Sequence, residues 1–98
     1  MRRDRITAEK LRKYTDITER AIAKIVISAP EGGLLHQAAA DYLSMARNYY
    51  GDAAHFASEG DFVNAFACLN YAYGWIDAGA RLGLFDVGPD HTLFTLWK

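Results

Sequence analysis

The feature that most constrains the fold is a hydrophobic repeat in the middle of the chain. Its members are spaced alternately by four and three residues, and they alternate between large side chains and alanine: Leu35, Ala39, Tyr42, Ala46, Tyr49, Ala53 and Phe56. This spacing places them on one side of an α-helix. Alternation of large and small side chains lets two closely packed helices interdigitate. The repeat therefore predicts a long helix, over about residues 34–59, that packs against another helix.

A first helix is predicted before this repeat. Thr7 is a suitable N-cap, because its side chain can accept a hydrogen bond from the first turn of a helix. Apolar residues then recur at helical spacing over about residues 8–29. Pro30 lacks a backbone donor and the Gly32–Gly33 pair disfavours an ordered helix, so we expect the first helix to end there.

A third helix follows after a very short connection. Gly60 suits the left-handed position that ends a helix, and Asp61 suits the N-cap of the next helix, predicted over about residues 62–82. Gly83 is expected to end this helix in the same way. A link this short forces the second and third helices into an antiparallel hairpin. The predicted fold is an all-α, three-helix antiparallel bundle that forms a single domain over residues 1–98.

The third helix is apolar around most of its circumference, which is more surface than two neighbouring helices can cover. The tail, residues 85–98, is also too apolar for a free end, and we expect it to pack on the bundle or on a partner. The surplus surface is the leading candidate for an interaction site with a second copy, as a homodimer, or with another protein. Its predicted residues are Val63, Ala67, Tyr71, Trp75, Ala78, Leu82, Phe94 and Trp97.

The charges are unevenly distributed along the chain. Eight of the eleven basic residues and four of the twelve acidic residues lie in the first 24 positions, so this segment carries +4 and the remainder −5. A basic segment can contact phosphates, which makes an RNA-binding accessory domain the first alternative function. The residues assigned to it are Arg2, Arg3, Arg5, Arg12 and Lys13. Acids are interleaved with these bases, and for that reason nucleic acid is not the favoured partner.

A second alternative is a small ligand- or metal-binding enzyme built around Asp52, His55 and Asp77. Asp52, His55 and Glu59 recur at spacings that stack them on one helix face, as ligands or acid–base partners would be. The ordinary interpretation is an exposed helix face with a local His–Glu pair, and an exposed ion pair between Asp77 and Arg81. A buried Asp77 that anchors the hairpin is the other interpretation. The sequence predicts no catalytic residues, no metal site and no cofactor.

The single cysteine, Cys68, excludes an internal disulfide and favours a reducing compartment. It lies among small apolar residues of the third helix, which is typical of a buried or half-buried side chain rather than a reactive thiol. The longest uncharged run, residues 62–76, is too short to span a bilayer. We therefore expect a cytoplasmic protein that does not enter a membrane.

The hairpin sequence resembles a family of small archaeal helical proteins catalogued as domain of unknown function 357. The matching pieces are the Asp52-Ala53 pair, the Glu59-Gly60-Asp61-Phe62 turn and the run YAYGWIDAGARLGLF that begins at Tyr71. The pattern A-x-x-F-x-x-x-G-D-F-x-x-A is also similar to a single tetratricopeptide hairpin. The family resemblance implies an archaeal source and an all-helical fold, and it implies no activity and no catalytic residues.

Overall fold

The structure is a computed structural model that describes residues 2–88. That part of the chain contains three helices and two short strands, one after the first helix and one after the third, that pair with each other. The elements are α1 (Ala8–Lys24), β1 (Val26–Ile27), α2 (Leu34–Ser58), α3 (Phe62–Arg81) and β2 (Phe85–Asp86). The predicted all-α fold with three helices is confirmed, and α2 and α3 each end within one residue of the predicted position.

The α2–α3 hairpin forms the most extensive contact in the molecule. Its core consists of small residues that let the two backbones approach closely, together with two large apolar side chains. The fully or nearly fully buried residues are Ala39, Ala46 and Ala53 on α2, and Ala65, Leu69, Ala72, Ile76 and Gly79 on α3. Alanines of the hydrophobic repeat therefore form the tight seam that their spacing predicts.

Both predicted glycine ends are present. Gly60 and Gly83 have φ angles of +78° and +77°, in the left-handed region. After Gly60, the amide of Asp61 donates to the carbonyl of Phe56 at 2.9 Å, and Gly60 donates to Ala57 at 3.0 Å. These two bonds form the Schellman motif that closes a helix at a left-handed glycine. Asp61 then accepts from the amide of Asn64 at 3.1 Å and starts α3.

The predicted extent of the first helix, residues 8–29, is wrong at its C-terminal end. Helix α1 stops at Lys24, and Val26 and Ile27 form β1, which pairs antiparallel with Asp86 and Phe85 of β2. Three consecutive β-branched residues, 25–27, favour extended backbone over helix. The partner strand comes from 59 residues further along the chain, so tertiary structure decides the conformation.

Helix α1 lies across the hairpin and contacts α3 more than α2. Thr7 is its N-cap and accepts from the amide of Lys10 at 3.1 Å, as predicted. Large side chains mediate much of its packing, including an edge-to-face contact between Tyr14 and Phe66 with ring centroids 5.2 Å apart. The hydroxyl of Tyr50 on α2 donates to Glu19 on α1 at 3.2 Å.

Candidate interaction surface and cleft

One side of the hairpin carries apolar side chains that no part of residues 2–88 covers. Val63, Tyr71 and Leu82 on α3 retain 68%, 62% and 65% of their accessible surface. At 100° per residue, the α3 residues that face α1, such as Phe66 and Tyr73, lie about 140–160° around the helix from Tyr71. The uncovered side is therefore turned away from α1.

Helix α2 contributes aromatic residues to the same side. Tyr49 stacks on Tyr71 with ring centroids 5.3 Å apart and an interplanar angle of 21°. Tyr42 meets Trp75 edge to face, with centroids 4.9 Å apart. We call the combined surface the outer face. Its residues are Tyr42, Tyr49, Val63, Ala67, Tyr71, Trp75, Ala78 and Leu82.

The predicted interaction residues of α3 thus lie on one surface, although they are not equally accessible. Val63, Ala67, Tyr71 and Leu82 are exposed, whereas Trp75 and Ala78 are half-buried. Trp75 is half-buried because it packs beside Tyr42 and against the core that contains Ile76. The other two predicted interaction residues, Phe94 and Trp97, lie outside the described residues.

Tyr42 and Tyr49 were not predicted as part of this surface. Their positions in the repeat assigned them to the seam, but the seam is filled by its alanines, and the tyrosines lie along its outer edge. The sequence contained a usable signal, because a tyrosine too large for an alanine-lined seam must turn towards its edge. The antiparallel register set by Tyr49 with Tyr71 also places the exposed Leu35 at the end of the hairpin where Leu82 lies.

Charged groups are scarce on the outer face. Residues 62–76 of α3 carry no ionisable acid or base of the Asp, Glu, Lys, Arg or His type. The charged pair on this helix is Asp77 and Arg81, whose Nε donates to Asp77 Oδ2 at 3.2 Å. The α3 side of the outer face therefore has little charge to desolvate on contact, and the exposed Asp52 of α2 lies close to it, near Cys68.

The basic residues proposed for RNA contact are all exposed. Arg2, Arg3 and Arg5 precede α1, and Arg2 lies 4.0 Å from Asp4 in a solvent-exposed ion pair. Arg12 and Lys13 are on α1. The structure places these five residues along one end of the molecule and its first helix, and RNA binding by them remains a prediction.

The acid and histidine residues of the second alternative are not brought together. His55 Nε2 lies 2.8 Å from Glu59 Oε1 in an exposed local pair, as the ordinary interpretation expects. Burial raises the pKa of the half-buried Cys68 thiol, and the negative charge of the exposed Asp52 raises this pKa further. Asp77 lies nine residues beyond Cys68 along α3, about 13 Å away. No group of three or more His, Cys, Asp or Glu side chains within residues 2–88 is arranged to hold a metal ion.

A separate cleft lies between α1 and α3. It has a volume of about 450 Å³, within the range of small-molecule sites, and it is partly open to solvent. Apolar side chains form much of its wall, with a few polar groups at the α3 side. The lining residues are Tyr14, Ile17, Thr18, Leu69, Asn70, Tyr73, Gly74 and Asp77.

Asp77 is the charged residue of this cleft. Its side chain is only 24% exposed. It forms the predicted pair with Arg81, but this pair is not fully exposed as the first interpretation expects. Asp77 is largely buried, as the second interpretation expects, but it lines the cleft with α1. Its second oxygen, Oδ1, is shielded from solvent and has no hydrogen-bond donor among residues 2–88. Burial, and then the negative charge of Asp77, raise the pKa of the neighbouring Tyr73 phenol.

Fold and surface together define a class of small helical proteins: a tight two-helix hairpin, one helix laid across it, and an uncovered aromatic side. Within residues 2–88, none of the helices combines the length and the apolarity needed to cross a bilayer. The profile of one protein family, described as protein of unknown function (DUF357), matches residues 13–85, and the chain belongs to that family. No curated protein and no solved structure matches the chain.

Proposed function

We propose that this protein is a self-associating helical module in which the outer faces of two copies pack against each other. The observation that carries the proposal is the continuous, almost uncharged aromatic surface around Tyr71. Monomeric proteins rarely leave large contiguous apolar patches exposed, and such patches commonly mark association sites. Its enrichment in tyrosine and tryptophan, with few charges, resembles the centre of a protein–protein interface.

A second copy is the occupant that the surface suits best. Ala67 precedes Tyr71 by one turn and Ala78 follows it by two, so a large side chain stands between small ones. Under two-fold symmetry, the Tyr71 of each copy can pack over an alanine of the other, since an isologous interface pairs a surface with itself. Residues 62–76 carry no charged group, so the α3 sides of two identical faces meet without placing like charges together.

The C-terminal tail is proposed to take part in this interface. The described chain ends at Gly88, beyond β2, and ten residues follow, including Phe94 and Trp97. At about 3.3 Å per extended residue these ten can span roughly 33 Å, and the stretch of α3 from Leu82 to Val63 is about 28 Å long. The apolar tail therefore has the reach and the composition to cover the edge of the dimer. We also propose that the protein is cytoplasmic and of archaeal origin.

Analytical ultracentrifugation over a range of concentrations tests the proposal. The wild-type protein should sediment as a dimer, and Tyr71→Lys should shift it to a monomer while its circular dichroism is retained. Val26→Lys is the matched control, because Val26 is also 62% exposed but lies on β1 and is not one of the outer-face residues. Trp75 is less suitable for substitution, since it is half-buried and supports the hairpin. A wild-type monomer at all concentrations would contradict the proposal, as would a Tyr71→Lys dimer of unchanged strength.

Truncation after Gly88 distinguishes a second copy from the chain's own tail as the cover. If the interface is dimeric and the tail adds to it, the truncated protein should still dimerise but with a weaker dissociation constant. If the tail alone covered the outer face, the full-length protein would be a monomer, and the truncated protein would bind a hydrophobic dye or aggregate. That second pattern would overturn self-association as the function.

A further inference from the structure

The cleft between α1 and α3 contains a carboxylate with an unused bonding position. Arg81 donates a hydrogen bond to Oδ2 of Asp77, whereas Oδ1 lies away from solvent and no donor in the described part of the chain reaches it. A buried polar atom with no partner is unfavourable and is uncommon in native proteins, unless a water, an ion or a ligand satisfies it. Asp77 lines the cleft, and rotation about the final bond of an aspartate is soft, so a small turn of the carboxylate can present Oδ1 to an occupant while the exposed Arg81 side chain follows Oδ2.

Gly74 provides a second, independent observation at the same place. It lies in the middle of α3 and lines the cleft, one turn before Ala78. Glycine weakens a helix interior relative to alanine, so a packing reason is usually expected for it. A Cβ atom built on Gly74 would meet no atom of residues 2–88 within 4 Å apart from its own chain neighbours and helix backbone, and Gly74 lines the open cleft. The missing side chain therefore enlarges the cleft beside Asp77 rather than admitting a neighbouring helix of this chain.

The remaining walls define the chemistry of an occupant. The rings of Tyr14 and Tyr73 and the apolar Ile17 and Leu69 suit an organic body, and aromatic rings also attract cations. The ammonium group of Lys10 already lies 6.0 Å from the centroid of Tyr14. That end of the cleft has a positive charge and no carboxylate, whereas the charge of Arg81 at the other end is offset by Asp77, so the charged group of a ligand belongs at the Asp77 end.

We propose that this cleft binds a small organic monocation, such as a primary amine, with its ammonium group on the carboxylate of Asp77 and its apolar part between Tyr14 and Tyr73. None of the cleft residues belongs to the outer face, so this site is independent of self-association. The amide of Asn70 is placed on the same wall and can accept a further hydrogen bond from the ammonium group. The proposal assigns a role to Asp77 that does not depend on Asp52 or His55.

The test compares n-butylamine with n-butanol, a neutral probe of similar shape, by amide-resolved NMR titration of the full-length protein. n-Butylamine should produce saturable shifts at Asn70, Gly74 and Asp77, and n-butanol should bind at least about tenfold more weakly because it lacks the charge. Equal shifts with both probes would overturn the proposal. So would the absence of any saturable shift, which would leave water alone on Asp77 Oδ1.

Two pairs of variants locate the site. Asp77→Asn keeps the side-chain shape and should weaken n-butylamine at least about tenfold, whereas Asp52→Asn makes the same change in net charge on α2 and should have no effect. Gly74→Ala should weaken n-butylamine binding because the added methyl group narrows the cleft beside Asp77, and Gly51→Ala should not, although both glycines have open space above them. Both alanine variants should retain or raise thermal stability, so a loss of binding in Gly74→Ala is not a loss of fold. Undiminished binding in Asp77→Asn or in Gly74→Ala would contradict the assignment.

Discussion

Helix α3 is held by its two neighbours in very different ways. Against α2 it presents alanine, glycine and a few branched residues, and Ala46, Ala65 and Ala72 have no exposed surface at all. Against α1 it uses large rings such as Phe66 and Tyr73, which leave a cleft of about 450 Å³ between the helices. The seam with α2 is tightly packed, whereas the contact with α1 leaves a cleft, and neither neighbour covers the outer face.

The largest expected effect is overpacking of the α2–α3 seam. Ala72→Leu inserts three carbon atoms where the helices are in close contact, and it should lower the free energy of unfolding by about 1–3 kcal/mol. Ala40→Leu makes the same change at an exposed position of α2 that is not part of the outer face, and it should change the free energy of unfolding by less than about 0.5 kcal/mol. Chemical denaturation of both variants measures the difference. Equal costs would show that the seam is not the tightly packed side of α3.

A smaller effect is expected where Phe85 meets the end of the hairpin. A Cβ atom on Gly79 would lie 2.6 Å from Cδ2 and 2.8 Å from Cζ of the Phe85 ring, which is itself buried. Gly79→Ala therefore forces the ring to move, and the gain of about 1 kcal/mol in helix propensity offsets only part of the clash. We expect a net loss of about 1 kcal/mol in thermal or chemical denaturation.

Gly51→Ala supplies the control for that experiment. Gly51 is an exposed interior residue of α2 with nothing within 4 Å of an added Cβ, so alanine should stabilise the protein by up to about 1 kcal/mol. Opposite signs for the two glycines would confirm that Phe85 closes on α3 at Gly79. If Gly79→Ala stabilised the protein instead, the Phe85 ring would be able to move away from α3 at little energetic cost.

These two regions also differ in how well the sequence predicts them. The hairpin is governed by local rules: a repeat with alternating alanines, a left-handed Gly60 and an N-cap at Asp61 all act within a few residues. The end of α1 is decided by Phe85, far along the chain, which gives β1 a partner. Helical periodicity continues through Ile25 and Ser28, so periodicity alone extends α1 too far.

The candidate sites show the same division. The exposed stripe on α3 follows from counting how many sides of a helix two neighbours can cover, and Tyr71 and Leu82 are exposed as that count requires. The cleft does not follow from such a count, because it depends on where α1 crosses α3. Asp77 and Gly74 are spaced one turn apart on the polar stripe, yet only the position of Tyr14 makes them walls of one cavity.

A still smaller effect is expected at the link that ends α1. The Ser28 hydroxyl donates to the carbonyl of Gly83 at 2.8 Å and of Leu84 at 3.1 Å, which ties β1 to the end of α3. Ser28→Ala should lower the free energy of unfolding by about 0.5 kcal/mol, since the residue is exposed and water can replace the serine. Hydrogen exchange should quicken at Ser28, whose amide bonds to Leu84, and remain unchanged at Ala46 in the hairpin. Equal acceleration at both would mean that the link and the hairpin open together.

The smallest expected effect concerns Tyr50, which joins α1 to α2, and it is best detected through its pH dependence. Burial raises the pKa of the Tyr50 phenol, and its hydrogen bond to Glu19 and the nearby carboxylates raise the pKa further. The folded protein therefore holds this proton more tightly than the unfolded chain, whose tyrosines titrate at about pH 10. The stabilisation is complete below about pH 10 and is lost as the pH rises through the higher folded-state pKa. Tyr50→Phe should cost less than about 0.5 kcal/mol at pH 7, and its free energy of unfolding should fall less steeply than that of the wild type above about pH 10. Urea denaturation at pH 7, 9 and 10.5 and at constant salt measures both slopes. A constant difference between the two proteins across that range would show that Tyr50 does not couple α1 to the hairpin through its proton.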